Sequence, residues 1–355
     1  MKYAPIIIPT LCRYKHFTRL IESLKRNGWA KFTDIYVGLD YPPSDKYKEG
    51  WNQICEYVEK GDFSVFASFT VLKHTKNLGS FGNLGSLYNI VASRYDRYII
   101  MEDDIEASSV FIEYIDKCLD RYENDPDVVG VTGYSYPVEW DVSEDATIIK
   151  QNFCASAWGT GFWINKSTAF RNDIFSGKHL DRINAVIKER LYERMIDASL
   201  REYIPAAVSP FRKMQKMMLC TTDIAIRAYL AVENKYYVQP VISKTRNHGF
   251  DGSGKYCQLI DEGINGSTAG TYNYSRQPID KSNTFNLVPD SKNNLNENRD
   301  RLNRFDVRTL AQMRRTRLYL WLMTHVGVWA GRACAWGLFP ADVALRLYRK
   351  LQRMT

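Results

Sequence analysis

The chain has 355 residues, 45% of them hydrophobic, 13% aromatic and 25% charged. That composition excludes general disorder and supplies enough apolar material for a sizeable core. At roughly 100–200 residues per domain, the length suits two domains or one large α/β domain with an appendage. The net charge of +8 is concentrated at one end: from Arg314 to Arg353 eight basic residues face one acid, Asp342, which leaves +7 there. A nucleic-acid surface would spread such charge over a folded face, so no nucleic-acid partner is expected and the tail needs a local one. The seven cysteines are scattered without a CxxC pair. This argues against a disulfide framework or zinc ribbon and for a reducing compartment. The opening MKYAPIIIPTLCRYKHF does not read as a signal peptide, because its apolar run is short and broken by prolines.

In chain order, Ala4–Pro9 predicts a short buried strand, and His16–Arg26 a helix with Phe17, Leu20, Ile21 and Leu24 on one face. Asp34–Leu39 predicts a second strand, Trp51–Val58 a helix, Ser64–Leu72 a third strand and Leu84–Arg94 a helix. Tyr98–Met101 predicts a fourth strand that runs directly into Glu102-Asp103-Asp104, followed by a helix from Ser108 to Tyr122 and a strand at Val128–Thr132. Strands alternating with helices predict an α/β fold with a mostly parallel, doubly wound, Rossmann-like sheet. Ligands of such sheets bind beyond the carboxyl ends of the strands, which points to Pro9, Thr10 and Arg13, then Asp40, then His74, Asn77 and Gly79, then Glu102 to Asp104. Helical material is expected from about His179 to Tyr203 and over Asp223–Glu233, with a strand at Tyr236–Ile242.

Residues 1–262 are expected to form the ligand-binding and catalytic domain, and 263–310, rich in Asn, Ser, Asp and Gly, a linker or surface wrap. Residues 311–355 read as a basic, amphipathic, membrane-associating helical tail. Leu318–Phe339 is apolar for about the length of a span, but Arg332 within it would cost roughly 2.5–3.5 kcal/mol at a bilayer centre. Trp321, Trp329 and Trp336 suit interfacial depth, so a hairpin lying on an anionic leaflet is expected rather than a spanning helix. Packing of the tail against the sheet is the plainer alternative.

Two like charges about 4 Å apart repel by roughly 4 kcal/mol at an effective dielectric near 20. The acidic triplet is therefore best tolerated with a compensating cation, and Mg²⁺ or Mn²⁺, which favour one or two carboxylates plus substrate phosphates, are the natural choice. The segment YIIMEDDIEASSVFIEY (Tyr98–Tyr114) resembles the acidic motif of GT-A glycosyltransferases, in particular that of N-acetylglucosaminyltransferase I. Pro9-Thr10-Leu11-Cys12-Arg13, Val37-Gly38-Leu39-Asp40, and Tyr237–Thr245 followed by His248–Ser253 are similar to further segments of that family, as well as to bacterial surface-polysaccharide glycosyltransferases.

The resemblance implies that Asp104 coordinates the metal, Asp103 bonds the ribose, and Arg13 and Asp40 read the uracil. His74 takes the place of a nucleotide-contacting histidine. His248, as ligand to metal or diphosphate, and Ser253 would close over the nucleotide. Trp158, Gly159 and Gly161, in Trp158-Gly-Thr-Gly-Phe-Trp163, would line the donor sugar and acceptor, because glycines permit close approach and aromatic faces pack on sugar rings.

The implied reaction is transfer from a UDP-sugar to a hydroxyl of a glycan or lipid-linked glycan, on the cytoplasmic face of the inner membrane. An inverting transfer needs a general base, for which Asp223 is the candidate, at the start of a helix and fourteen residues before Tyr237. Capping of that helix is the plainer role for Asp223. A sugar-phosphate nucleotidyltransferase would also use carboxylates and a metal, but PTLCRYKHF lacks its glycine-rich basic signature. A membrane-bound nucleotide-sugar-binding protein without catalysis is the other alternative.

Overall fold

A computed structural model of the chain describes residues 2–176, 182–209, 223–253, 274–305 and 309–337. Its first half alternates strands and helices: β1 (Ile6–Thr10), α1 (Tyr14–Lys25), β2 (Asp34–Leu39), α2 (Lys48–Lys60), β3 (Ser68–Lys73), α3 (Gly79–Ala92) and β4 (Arg97–Ile100). There follow β5 (Ile105–Ala107), α4 (Phe111–Tyr122), β6 (Val128–Thr132), β7 (Ile148–Gln151), β8 (Thr160–Trp163), β9 (Tyr236–Pro240) and β10 (Thr245–Asn247).

Eight strands form one sheet in the order β3-β2-β1-β4-β8-β6-β9-β7. β1 to β4 are mutually parallel, β8 runs antiparallel between β4 and β6, and β6 pairs parallel with β9, whose far neighbour β7 is antiparallel. β1 is covered on both faces, as its unbroken Ile6-Ile7-Ile8 requires, and all three side chains are fully buried. On α1 the spacing 17, 20, 21, 24 places Phe17, Leu20, Ile21 and Leu24 in the core; α4 contributes Phe111, Ile112, Ile115 and Leu119 in the same way. A second, two-stranded antiparallel sheet pairs β5 with β10.

The chain divides into two compact units. The first comprises Met1–Gln151, Ala155–Ala169 and Tyr236–Asn298; the second comprises Asn152–Cys154, Phe170–Lys235 and Arg299–Thr355. These cuts do not follow the expected segments 1–262, 263–310 and 311–355. Residues 274–298 are laced onto the first unit: Gln277 Nε2 donates to Ser135 O, Arg246 Nε donates to Gln277 O, and the buried Lys244 ammonium pairs with Asp280. The stretch that lacks periodicity is thus held by polar contacts and by one apolar anchor, Phe285, which is buried in the core edge-on to Tyr114. Residues 263–273 lie outside the described residues.

The described residues of the second unit are mostly helical. Expected helix from His179 to Tyr203 resolves into Ile183–Lys188, a turn at Leu191–Arg194, and Asp197–Val208. The tail helix Thr309–His325 buries Met313, Tyr319 and Met323 in that unit's apolar cluster, so one of its faces is core. Trp321 on that helix, and Trp329 and Trp336 beyond it, are more than half exposed; Arg314, Arg315, Arg317 and Arg332 are exposed too. Among the described residues no helix is long and apolar enough to cross a membrane. Residues 338–355, the end of the tail expected to be basic and amphipathic, lie outside the described residues.

Candidate functional site

Because β1 to β4 are parallel, their carboxyl ends share one edge of the sheet, and Thr10, Asp40, His74 and the acidic triplet collect there. The triplet is split by the turn that carries it: Glu102 is exposed, while Asp103 and Asp104 are buried. A cation of the chain itself stands against them. Arg13 Nη1 donates to Asp104 Oδ2 at 2.8 Å, and Arg13 Nη2 donates to Asp103 Oδ1. The guanidinium expected at the uracil therefore lies on the carboxylate pair. Thr10 Oγ1 donates to Asp103 Oδ2 at 2.8 Å. Asp104 Oδ1 is buried and accepts no hydrogen bond among the described residues. Burial pushes the Asp104 carboxyl above its ordinary range, against the pull of Arg13. Burial also works against the Arg13 charge, but the two carboxylates outweigh it and hold its pKa above the usual arginine value.

Asp40, expected to read the base, is occupied with the backbone. Its Oδ1 accepts from Tyr41 N at 2.9 Å and Leu78 N at 2.8 Å; its Oδ2 accepts from Gly79 N at 2.9 Å and Asn77 Nδ2 at 3.1 Å. With four donors on two oxygens, this buried carboxylate organises the 77–79 turn, whose Gly79 has φ +69°. It also caps α3, which starts at Gly79 rather than Leu84 because the cap comes from the residue that follows β2. Asn83 Nδ2 donates to Gly38 O at 2.8 Å, so its Oδ1 is the acceptor for His74 Nε2 at 3.2 Å. That fixes the neutral His74 as the Nε2–H tautomer. A β-carbon at Gly38 would overlap Asn83 Oδ1, so only glycine lets Asn83 reach the sheet.

β10 runs antiparallel to β5 and brings the His248–Ser253 loop over the acidic turn, with His248 N donating to Asp104 O at 2.9 Å. The His248 ring does not serve the carboxylate pair: its Nε2 lies 2.8 Å from Glu106 Oε2, and that bond, with Arg246 nearby, holds the Glu106 carboxyl below its ordinary range. Gly249 stands against Asp104, where a β-carbon would overlap Oδ2. Ser253 is exposed; its backbone N–H and hydroxyl both donate to Asp251 Oδ1, while Asp251 Oδ2 lies 3.1 Å from His16 Nε2. The loop thus meets the metal-ligand candidate through Gly249 rather than through an imidazole.

The aromatic, glycine-rich stretch is mostly core. Thr160–Trp163 is the central strand β8, and a β-carbon at Gly161 would come within 2.6 Å of Ile115 Cγ2, so Gly161 is a packing glycine and not a sugar-lining one. Gly159 (φ +78°) is buried against Phe111 and Thr245. Trp158 alone of the three keeps partial exposure, its ring edge-on to Tyr134 at 4.5 Å and to Phe250 at 5.9 Å. Pro9 is a strand residue paired with Gly38. Asp223 opens the helix Asp223–Glu233 in the second unit; residues 220–222 before it lie outside the described residues.

Among the described residues no group of three or more His, Cys, Asp or Glu side chains could hold a metal ion. Two hard carboxylates remain, one with an orphaned buried oxygen, and this suits an ion of the Mg²⁺ or Mn²⁺ type that takes its other oxygens from phosphates and water. Sequence reasoning missed Asn83, Gly249, Glu106 and His16. Only Gly249 carried a local signal, as the first glycine of the HGFDGSG loop.

No protein-family model matches the chain, and no curated protein matches it. Among solved structures, residues 1–349 of S. aureus TarS are similar at 14% identity and TM-score 0.32, over 49% of this chain and 50% of that one. A mannosyltransferase from Pyrobaculum calidifontis, in complex with GDP-Man and Mn²⁺, is similar at 13% identity and TM-score 0.33, over 45% and 44%. The glycosyltransferase GlyE of Streptococcus pneumoniae is similar at 14% identity and TM-score 0.25, over 49% and 38%. Each match spans half or less of the other chain.

Proposed function

We propose that the chain is a metal-dependent GT-A glycosyltransferase that moves a sugar from a UDP-sugar to an acceptor hydroxyl with inversion. One observation carries this reading: at the carboxyl edge of the parallel strands β1 to β4, the buried Asp104 keeps one oxygen without a hydrogen bond among the described residues, beneath a loop glycine whose β-carbon would overlap the other. Such a carboxylate is costly unless a ligand uses it. The similarity of Tyr98–Tyr114 to the N-acetylglucosaminyltransferase I motif adds support, as does the GFDGSG-type loop of bacterial surface-polysaccharide enzymes.

Asp104, with Asp103, would hold the ion, which when bound supplies Lewis-acid stabilisation of the departing diphosphate. Asp103 and Thr10 face the ribose. Asp40 acts by fixing the 77–79 turn beside the nucleotide, and His74 presents Nδ1, because Nε2 is committed to Asn83. As the acceptor oxygen bonds to the anomeric carbon and the bond from that carbon to the diphosphate breaks, the hydroxyl proton passes to Asp223. The tail places the enzyme peripherally on the cytoplasmic face of the inner membrane, its acceptor being a lipid-linked glycan in surface-polysaccharide synthesis. The exposed tryptophans and arginines of the tail support this placement.

The test is a panel of nucleotide sugars incubated with the full chain and Mn²⁺. UDP release from one or more UDP-sugars, abolished by chelation, is expected. Pyrophosphate release from a nucleoside triphosphate plus a sugar phosphate, without UDP release, would replace the transferase with a nucleotidyltransferase.

A further inference from the structure

Three of the four oxygens on Asp103 and Asp104 are engaged inside the protein: Arg13 takes one on each residue and Thr10 takes the second on Asp103. The fourth, Asp104 Oδ1, is buried without a hydrogen bond among the described residues. We propose that Arg13 is a resident counter-cation that makes occupation of the carboxylate pair by a divalent ion conditional on the donor's diphosphate, onto which the guanidinium then moves. The proposal rests on the transferase reading above and adds a positioning role that the site residues by themselves do not imply.

With Arg13 in place, the two carboxylates and the guanidinium sum to a single negative charge. A divalent ion arriving alone meets one unengaged oxygen and a neighbouring positive group, and no third protein ligand stands by among the described residues. A diphosphate changes both terms. It brings oxygens to complete the ion's shell, and it offers the guanidinium fork a new partner of matching geometry. Ion and nucleotide are then linked, each raising the affinity for the other by the same factor.

The three side chains differ in freedom to move. Asp103 and Asp104 are 7% and 5% exposed, whereas Arg13 is 21% exposed and sits in the short loop between β1 and α1. Asp104 is also pinned, its carbonyl bonded to His248 N and its carboxylate abutted by Gly249. The guanidinium is therefore the member of the cluster free to leave.

The experiment measures Mn²⁺ binding to the full chain by titration calorimetry and by the paramagnetic resonance signal of free Mn²⁺, with and without UDP, in wild type, Arg13→Gln and Arg13→Lys. Wild type should bind Mn²⁺ about tenfold or more tightly with UDP present than alone. Arg13→Gln should bind Mn²⁺ alone about tenfold or more tightly than wild type does, with a smaller further gain from UDP. Arg13→Lys keeps the charge but loses the fork and should fall between; if Arg13→Gln does not fold, this variant decides by the same comparison. Affinity for Mn²⁺ alone that is equal to or below wild type in the folded variants, with the UDP effect intact, overturns the role of Arg13 and leaves the transferase reading standing. Absence of Mn²⁺ uptake by wild type at every UDP concentration overturns both.

Discussion

Gly249 and Asp104, 145 positions apart in the chain, touch so closely that any β-carbon on the first would overlap a carboxylate oxygen of the second. The contact exists because β10 pairs with β5 immediately after the acidic turn. Gly249→Ala should push the Asp104 carboxylate out of place and lower Mn²⁺-dependent UDP affinity by about tenfold or more, a cost of about 1.4 kcal/mol. Fold stability should change far less than binding. Calorimetry and urea denaturation of the same variant check this, and an unaltered UDP affinity would contradict it.

Asp40 should prove a structural carboxylate. In Asp40→Asn, one acceptor oxygen becomes an amide donor that faces either the N–H groups of Tyr41 and Leu78 or the Gly79 N–H and the Asn77 amide. Leaving such buried groups unsatisfied costs roughly 1–3 kcal/mol. The urea midpoint should fall accordingly, and proteolysis should rise at the 77–79 turn. A direct reader of the base would instead lose UDP affinity with the midpoint unchanged.

Asp116 gives the protein a built-in pH dependence. This fully buried carboxyl accepts from Ala4 N at 3.0 Å, and burial pushes its pKa up to about 7. Between pH about 4 and about 7 the unfolded chain has lost this proton while the native chain keeps it. Stability should therefore fall as pH rises through that window, by up to about 1.4 kcal/mol per pH unit from this group, and level off above it. Asp116→Asn, which keeps an acceptor for Ala4, should flatten the slope. A wild-type melting temperature that rises from pH 5 to pH 7 at the same rate in both proteins would contradict the assignment.

The tail should bind anionic lipid without crossing it. Full-length protein should sediment with phosphatidylglycerol-containing vesicles and not with purely zwitterionic ones. Joint replacement of Trp321, Trp329 and Trp336 by alanine should weaken sedimentation about tenfold or more while leaving the melting temperature close to wild type, since all three are exposed. Equal sedimentation of the triple variant would contradict this use of the tail.

Elements whose burial follows a local period were legible in the sequence. β2 and β6 fall where Asp34–Leu39 and Val128–Thr132 predict them, and Phe17, Leu20, Ile21 and Leu24 line the core face of α1. What could not be read is what depends on distant partners. β5 and β10 are three residues each, too short for a period, and exist through their pairing with each other. Thr160–Trp163 mixes glycine and aromatics and reads as a ligand surface, yet it is a central strand whose Gly161 makes room for α4. The acidic turn and its neighbours were placed at the right edge, but the ion pair with Arg13 was not. Residue type fixes charge, while only the fold decides which opposite charge answers it.

The most direct measurement is a calorimetric titration of UDP into the full chain, with and without Mn²⁺, for wild type and Asp104→Asn. Binding by wild type that requires Mn²⁺ and disappears in the folded Asp104→Asn variant is the predicted result. Equal UDP binding by both proteins, or binding indifferent to Mn²⁺, would contradict the placement of a metal–diphosphate site at Asp104.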